Sequence, residues 1–335
     1  EQMAKQGVNV KVHHEVTRVD VAAHAVQVRE LEGGRTFEQS FDRLVIATGA
    51  RPACPPVPGV DLCGIFGLRS LGSGLAIRQY LQEHRPHKAL IVGGGYIGVE
   101  MAETLRRLGL DVTILVRSGK VLRTTIDDDM RAVVHAELAR QGVRVEAGPA
   151  LCFAGNGQVR AVATDGREIP CDLVILGLGA EPNVDLARAA GVTLGETGAI
   201  ATDDQMGTNL PGVYAAGDCA EALHRVTGKP AWVPLGSTAN KQGRVAGSNA
   251  AGKAATFGGI LGTMVVRCFD LAVGSTGLTA RAARAAGYDA QETMIQASDL
   301  SHYYPGAAEV YVKLIVDGGN GQLLGGQIVG PHRAI

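Results

Sequence analysis

Three glycines, Gly93, Gly95 and Gly98, stand in G-x-G-x-x-G spacing inside KALIVGGGYIGVE, residues 88–100. This spacing suits a turn that grips a pyrophosphate. One glycine allows a tight strand-to-helix turn, one lets the backbone approach the phosphates, and one lets helix and strand pack closely. The anion then sits on a helix N-terminus, where free N–H groups and the macrodipole favour negative charge. The flanks supply the required context. Ala89–Val92 is a short apolar run that reads as a buried parallel strand, and Val99–Leu108 has helical spacing. Gly93, Gly95, Tyr96, Ile97 and Gly98 are therefore the expected dinucleotide contacts.

The far end of such a nucleotide is read at the end of the next strand. An acidic residue about 20 positions past the glycines binds a ribose 2′-hydroxyl, whereas an arginine accommodates a 2′-phosphate. Here Val116 takes that place, followed by Arg117, with Lys120 and Arg123 close behind and no carboxylate to repel a phosphate. NADPH is the expected cofactor, in preference to NADH.

The elements that must position these residues can be read along the chain. Val8–Val12, Val16–Val21 and Ala25–Arg29 alternate like strands of an antiparallel meander. Phe41–Pro52 (FDRLVIATGARP) is an apolar strand running into ATG-A-R-P, and Pro55, Pro56, Pro58 and Gly59 then break regular structure. Leu75–Glu83 is a helix that leads into the glycine motif. Beyond the motif, Val112–Val116 is the second strand of a βαβ unit, and Asp127, Asp128 and Asp129 open a helix that runs to Gln141. Val143–Glu146 is a third strand, Leu151–Ile169 a small meander, and Asp172–Gly179 another buried strand. From Phe257 onward, strands at Met264–Phe269, Leu271–Ser275, Glu292–Ala297, Ala308–Val316 and Gly325–Val329 surround a helix at Thr279–Ala286. This reads as a separate α+β domain built on an antiparallel sheet.

An internal repeat joins two of these segments. Phe41–Pro52 aligns with Cys171–Pro182 (CDLVILGLGAEP) at a constant offset of 130 residues, with Gly49 on Gly179 and Pro52 on Pro182. Both are closing strands of similar domains. The second has its opening at Gly93, and the opening βαβ unit of the first is expected upstream of residue 1. The last domain is likewise expected to continue past Ile335. Between the domains, LPGVYAAGDCA (210–220) carries a short strand, Val213–Ala216, that delivers Gly217 and Asp218 to a turn. WVPLGSTANKQGRVAG (232–247) begins irregular and becomes helical.

Length and composition set the outer bounds. A chain of 335 residues has room for two or three domains. Its net charge of −1 offers no basic excess for nucleic acid or a membrane surface, and its apolar runs are too short to span a bilayer. The six cysteines include no C-x-x-C and no metal spacing, so buried, reduced thiols in a cytoplasmic setting are expected for most of them, and no metal site is expected.

Taken together, these motifs resemble the pyridine nucleotide-disulfide oxidoreductase family. Within it, PLGSTANKQGRVAG (234–247), GILGTMVVRCFDLAVGSTGLT (259–279) and HYYPGA (302–307) resemble the subgroup of coenzyme A-disulfide reductases, persulfide reductases, NADH oxidases and NADH peroxidases. The resemblance implies an α/β fold of two Rossmann-like domains, binding FAD and NAD(P)H, followed by an α+β domain that forms a homodimer. The corresponding segments are 1–72 and 183–256 for FAD, 73–182 for NAD(P), and 257–335 for dimerisation. Thr48 and Gly49 would meet the flavin, Asp218 after Gly217 would accept a hydrogen bond from a ribityl hydroxyl, and Ala239 would place a backbone N–H near the flavin ring. Tyr96 would cover the flavin face and swing aside for nicotinamide, with Glu100 and Gly179 bordering that pocket and Arg117 at the ribose.

The same resemblance implies a redox cysteine in the N-terminal part, which would precede residue 1. Cys54 and Cys63 flank the proline-rich crossing and are the nearest substitutes. Tyr303 and Tyr304 would reach the partner subunit's active site as catalytic candidates, where a tyrosine hydroxyl can hydrogen-bond a thiolate or substrate sulfur. His302 matches the family's histidine position imperfectly. The expected reaction is reduction of coenzyme A disulfide or a related disulfide or persulfide. The alternatives are reduction of oxygen or peroxide and, in another class, a flavin-binding redox sensor without turnover.

Overall fold

The computed structural model describes residue 5, residues 7–301 and residues 303–335. His302 lies outside the described residues. The chain gathers into two compact units, one of Glu1–Ala50 with Pro182–Ile260 and one of Arg51–Glu181 with Leu261–Ile335.

In the first unit, strands His14–Asp20, Ala25–Glu30 and Thr36–Ser40 form an antiparallel meander in that order. Alternate residues Val26 and Val28, with Val19, turn inward onto Phe37, Phe41 and Leu186. Thr36–Ser40 was not legible as a strand because Phe37 is its only apolar residue; backbone pairing to Ala25–Arg29 holds it. The expected strand at Val8–Val12 is absent. That segment has no partner strand among the described residues, and its three valines stay exposed. Alternation without a partner does not hold a strand. Leu44–Ile46 pairs in parallel with Val213–Ala215. Helix Gly236–Ala250 buries Gln242, Ala246 and Asn249.

The second unit is centred on a five-stranded parallel sheet in the order Ile65–Gly67, Leu173–Leu176, Lys88–Val92, Asp111–Val116, Arg144–Ala147. Leu90, Ile91, Val112, Ile114 and Leu173 to Ile175 are fully buried, as a sheet covered on both faces requires. Helix Leu71–His84 starts at a capping box between Ser70 and Ser73, four residues before the first apolar position that marks it in the sequence. Helices Tyr96–Arg107 and Asp128–Arg140 follow the first and second strands of the chain's βαβ run, Lys88–Val92 and Asp111–Val116. A small antiparallel sheet is made by Cys152–Asn156, Gln158–Thr164 and Arg167–Pro170.

The C-terminal part of this unit is a five-stranded antiparallel sheet, in the order Met264–Cys268, Leu271–Gly277, Leu323–Pro331, Glu309–Asp317, Ala290–Ser298. Lys313 sits in the middle of the fourth of these strands with its side chain 2 % exposed. Its ammonium is met by Asp129 at 2.7 Å, Glu292 at 2.5 Å and Asp127 at 3.6 Å, which joins this sheet to the start of helix Asp128–Arg140. A buried cation needs such partners, because desolvation otherwise expels its charge.

Candidate functional site

The glycine turn, the end of strand Asp111–Val116 and the loop after it enclose a cavity of about 610 Å³, a size suited to a small-molecule ligand. Gly93, Gly95, Tyr96 and Ile97 line one side, Arg117, Ser118, Lys120 and Arg123 another, with Leu178 and Gly179 beside them. Gly93 has φ +111°, and a Cβ there would lie 2.2 Å from the carbonyl oxygen of Gly177, so only glycine fits. Gly98 lies behind the turn rather than in the lining. A Cβ there would stand 2.2 Å from Gly93 O, and the missing side chain is what seats the helix on the strand. Gly95 is the N-cap of helix Tyr96–Arg107 and supplies no side-chain cap, while Val99 makes the first intrahelical bond to Gly95 O at 3.0 Å. The N–H groups of Tyr96, Ile97 and Gly98 therefore form an open helix start, which fits a pyrophosphate. Glu100 is exposed on the same helix, outside the cavity lining. Partial desolvation, reinforced by the charge of Glu103, holds its carboxyl above the ordinary value.

The basic loop after Val116 is held from several sides. Leu122 is buried at φ +50°, and its N–H donates to Gly94 O at 2.6 Å, tying the loop to the glycine turn. Arg131, with its side chain 5 % exposed, donates to Val121 O at 2.7 Å and also to Ile126 O. Arg281 donates to Arg123 O at 2.7 Å. His135 Nε2 accepts from the Val121 N–H at 3.4 Å. Desolvation and then the Arg131 charge keep this imidazole below its ordinary pKa, consistent with a neutral acceptor. Lys120 pairs with Asp128 at 2.8 Å, a bond that with Arg131 holds the Asp128 carboxyl below the usual range. Arg117 is exposed and has no ion-pair partner among the described residues. Arg131, His135 and Arg281 lie outside the residues singled out from the sequence. Within DDDMRAVVHAEL and LTARAAR they read as ordinary helix-surface residues, and only the fold brings them to the loop.

In the first unit, the turn at Gly217 and Asp218 is clamped by two residues that sequence reasoning missed. Gly217 N–H donates to Gln242 Oε1 at 2.9 Å, and Gln242, fully buried, returns a bond to Glu221 O at 3.3 Å. Trp232 Nε1 donates to Asp218 O at 2.9 Å. Helix Gly236–Ala250 begins at Leu235 without a side-chain cap. The expectation for Ala239 needs correction: its N–H already donates to Leu235 O at 2.9 Å, so the open donors are those of Gly236, Ser237 and Thr238. Thr48 is also engaged. Its hydroxyl donates to Asn183 O at 2.6 Å, and Asn183 Nδ2 donates to Thr48 O at 2.9 Å. Gly49, at φ +68°, has open space where a Cβ would be. An uncapped helix start and a backbone free to be approached fit an anionic, hydroxyl-bearing group such as a flavin dinucleotide.

Tyr303 and Tyr304 lie on the other unit, 74 % and 56 % exposed, with ring centroids 5.2 Å apart. Of the cysteines, Cys171, Cys219 and Cys268 are buried, Cys152 is half-buried, and Cys54 and Cys63 are exposed, so the expectation of buried thiols holds for only part of the set. Among the described residues no group of His, Cys, Asp and Glu is placed to hold a metal ion, and no helix is long and apolar enough to cross a membrane.

Comparison with known proteins places this geometry. Residues 1–243 match the family model described as pyridine nucleotide-disulphide oxidoreductase, and residues 263–335 match the dimerisation domain of the same family. The chain is 44 % identical over 327 residues to an NAD(P)H sulfur oxidoreductase (CoA-dependent) of Pyrococcus abyssi, covering 97 % of this chain and 72 % of that protein. It is 32 % identical to a coenzyme A disulfide reductase of Staphylococcus haemolyticus, with the same two coverages. NADH oxidases also stand among the relatives. A solved NAD-dependent persulfide reductase from A. fulgidus superposes with a TM-score of 0.94 at 35 % identity, over 98 % of this chain and 61 % of that one. A solved FAD-dependent pyridine nucleotide-disulphide oxidoreductase from Desulfovibrio vulgaris superposes with a TM-score of 0.85 at 35 % identity, over 97 % and 80 %. The chain thus spans less than two thirds of the persulfide reductase.

Proposed function

The chain belongs to the pyridine nucleotide-disulphide oxidoreductase family, and from that premise we propose that it is an FAD-dependent oxidoreductase passing electrons from NADPH, or NADH, to coenzyme A disulfide or a related disulfide or persulfide. The observation that carries the reading is the cavity in which a glycine-only turn and an uncapped helix start face a loop bearing Arg117, Lys120 and Arg123. Relatives that act on sulfur compounds and coenzyme A support the choice of acceptor. FAD, when bound, accepts hydride from the nicotinamide and passes the electron pair on to sulfur.

The chain's own residues bind and orient. Gly93 and Gly95 let the backbone approach the pyrophosphate, and the N–H groups of Tyr96, Ile97 and Gly98 donate to it. Arg117, Lys120 and Arg123 face the 2′-phosphate. Tyr96 swings aside for the nicotinamide, with Gly179 beside it in the lining, while Glu100, also expected at this pocket, stands outside the lining on the same helix. On the flavin side, Thr48 and Gly49 end the first closing strand, Asp218 after Gly217 accepts from a ribityl hydroxyl, and the N–H groups that precede Ala239 meet the ring. Tyr303 and Tyr304 serve the partner's site in a homodimer formed through the C-terminal sheet, each offering a hydroxyl to a thiolate or substrate sulfur. Of the expected segments, 183–256 and the part of 1–72 up to Ala50 belong to the flavin; residues 51–72, whose strand Ile65–Gly67 joins the nucleotide sheet, go with 73–182 to the nicotinamide nucleotide, and 257–335 to the dimer. Cys171 and Cys268 are unsuited to redox work, because burial pushes both thiols up to about 12. The six free cysteines suit a cytoplasmic setting.

The test is NADPH oxidation by the FAD-loaded, full-length protein with coenzyme A disulfide, polysulfide, oxygen or peroxide as acceptor. Turnover that needs a sulfur acceptor and releases thiol is expected. Turnover on oxygen or peroxide alone would assign an oxidase or peroxidase, and absence of turnover with flavin bound would leave a sensor.

A further inference from the structure

The basic loop borders a second, polar cavity of about 460 Å³. It shares Ser118, Lys120 and Arg123 with the nucleotide cavity and adds Arg281, from the start of helix Ala280–Ala285. That helix belongs to the segment matched by the dimerisation model, not to the nucleotide-binding strands. We infer that Arg281 is a specificity-positioning residue for the 2′-phosphate of NADPH, an inference that rests on the NADPH reading above and deepens it.

Three observations converge. First, Arg281 donates to the backbone of Arg123 itself, at 2.7 Å, and so fixes the part of the loop that carries one of the cations. Second, the loop backbone is over-determined: Leu122 keeps an unfavourable φ of +50° while bonded to Gly94 O, and Arg131 holds Val121 O from beneath. The backbone that carries these cations is pre-organised, and little loop ordering is left to oppose binding. Third, the exposed Arg281 guanidinium joins Lys120, Arg123 and Arg131 in a lining that holds only two carboxylates, Asp127 and Asp128. Asp128 pairs with Lys120 and Arg131, and Asp127 accepts from Gln327 Nε2 at 2.7 Å and from Ala280 N–H at 3.0 Å. A phosphate at this rim therefore meets a cationic surface. A ribose hydroxyl gains nothing comparable from it.

Direct binding separates this role from a merely structural one. Calorimetric titration of the FAD-loaded, full-length protein with 2′,5′-ADP and with 5′-AMP isolates the 2′-phosphate. For the native protein, tighter binding of 2′,5′-ADP is expected. Arg281→Ala should weaken 2′,5′-ADP about tenfold and leave 5′-AMP within about twofold, and Arg281→Lys should recover part of the loss. An Arg281→Ala protein that loses both ligands equally, or keeps the full preference for 2′,5′-ADP, overturns the inference while leaving the NADPH reading intact. A native protein that binds the two nucleotides equally overturns both.

Discussion

The two turns proposed to face the cofactors are braced by different chemistry. At Gly217 and Asp218 the brace is neutral: the amide of Gln242 and the indole of Trp232 hold backbone groups. At the loop after Val116 it is ionic, with Arg131 and Arg281 gripping carbonyls, Lys120 on Asp128, and the Lys313 cluster anchoring the helix start behind them. A neutral amide holds its turn at any pH near neutrality. An ionic brace brings positive potential to the place where a nucleotide phosphate is expected, and it makes that side sensitive to acid. The repeat shows the same division of labour on a common backbone. Gly49 and Gly179, 130 residues apart, both have positive φ and open space around the missing Cβ. The preceding residues diverge, with Thr48 bonding Asn183 and Leu178 lining the nucleotide cavity.

The comparison can be broken most severely at Lys313. Lys313→Ala takes the shared, buried cation from Asp127, Asp129 and Glu292, whose side chains are 12 %, 40 % and 30 % exposed, and should cost about 3 kcal/mol, the low end for a broken buried pair, in a denaturant or thermal unfolding experiment. A loss under about 1 kcal/mol would mean that the cluster braces nothing. Next come the glycines. Gly93→Ala drives a Cβ into Gly177 O and should cost about 3 kcal/mol and abolish nucleotide binding, whereas Gly49→Ala meets only its φ penalty of about 1 kcal/mol. Equal effects at the two would remove the distinction between a packed turn and an open one. Gln242→Ala, which leaves Gly217 N–H without its acceptor, should cost about 1–3 kcal/mol with no dependence on pH around neutrality.

Acid sharpens the contrast. His135 has a depressed pKa in the fold, so its contribution is present above the ordinary value of 6.5 and is lost as pH falls through the lower folded value. Glu292, held down first by its bond to Lys313, and Asp128, held down first by Lys120, follow the same sign below their ordinary values of 4.5 and 3.8. The melting temperature should therefore drop as pH falls below 6.5, and His135→Phe should flatten the upper part of that drop. A profile unchanged by the substitution would clear His135 of the role. The smallest effect is expected at Asp128. Asp128→Asn frees Lys120 and should tighten 2′,5′-ADP about two- to threefold.

Much of this arrangement was legible in the sequence because its signals are local. The glycine spacing, the flanking apolar strand and the repeat each occupy about a dozen consecutive residues or fewer. The strands and helices of the C-terminal sheet were legible for the same reason, including VYVKLIV, whose central lysine breaks an apolar run without showing what would meet it. The braces were not legible. Gln242 to Gly217 and Arg281 to Arg123 span 25 and 158 residues, and a polar side chain on a helix reads as solvated until the fold supplies a partner. Edge strands such as Ile65–Gly67 were missed because three residues carry no periodicity. Val8–Val12 shows the converse, a clear alternation without a partner strand.

The most direct measurement is an anaerobic titration of the FAD-loaded, full-length protein with NADPH and, separately, with NADH, following flavin absorbance and comparing kcat/KM for the two. Stoichiometric bleaching by NADPH, with kcat/KM in favour of NADPH, is the predicted result. A flavin that neither nucleotide bleaches would contradict the enzyme assignment, and a tenfold preference for NADH would contradict the role given to the basic loop.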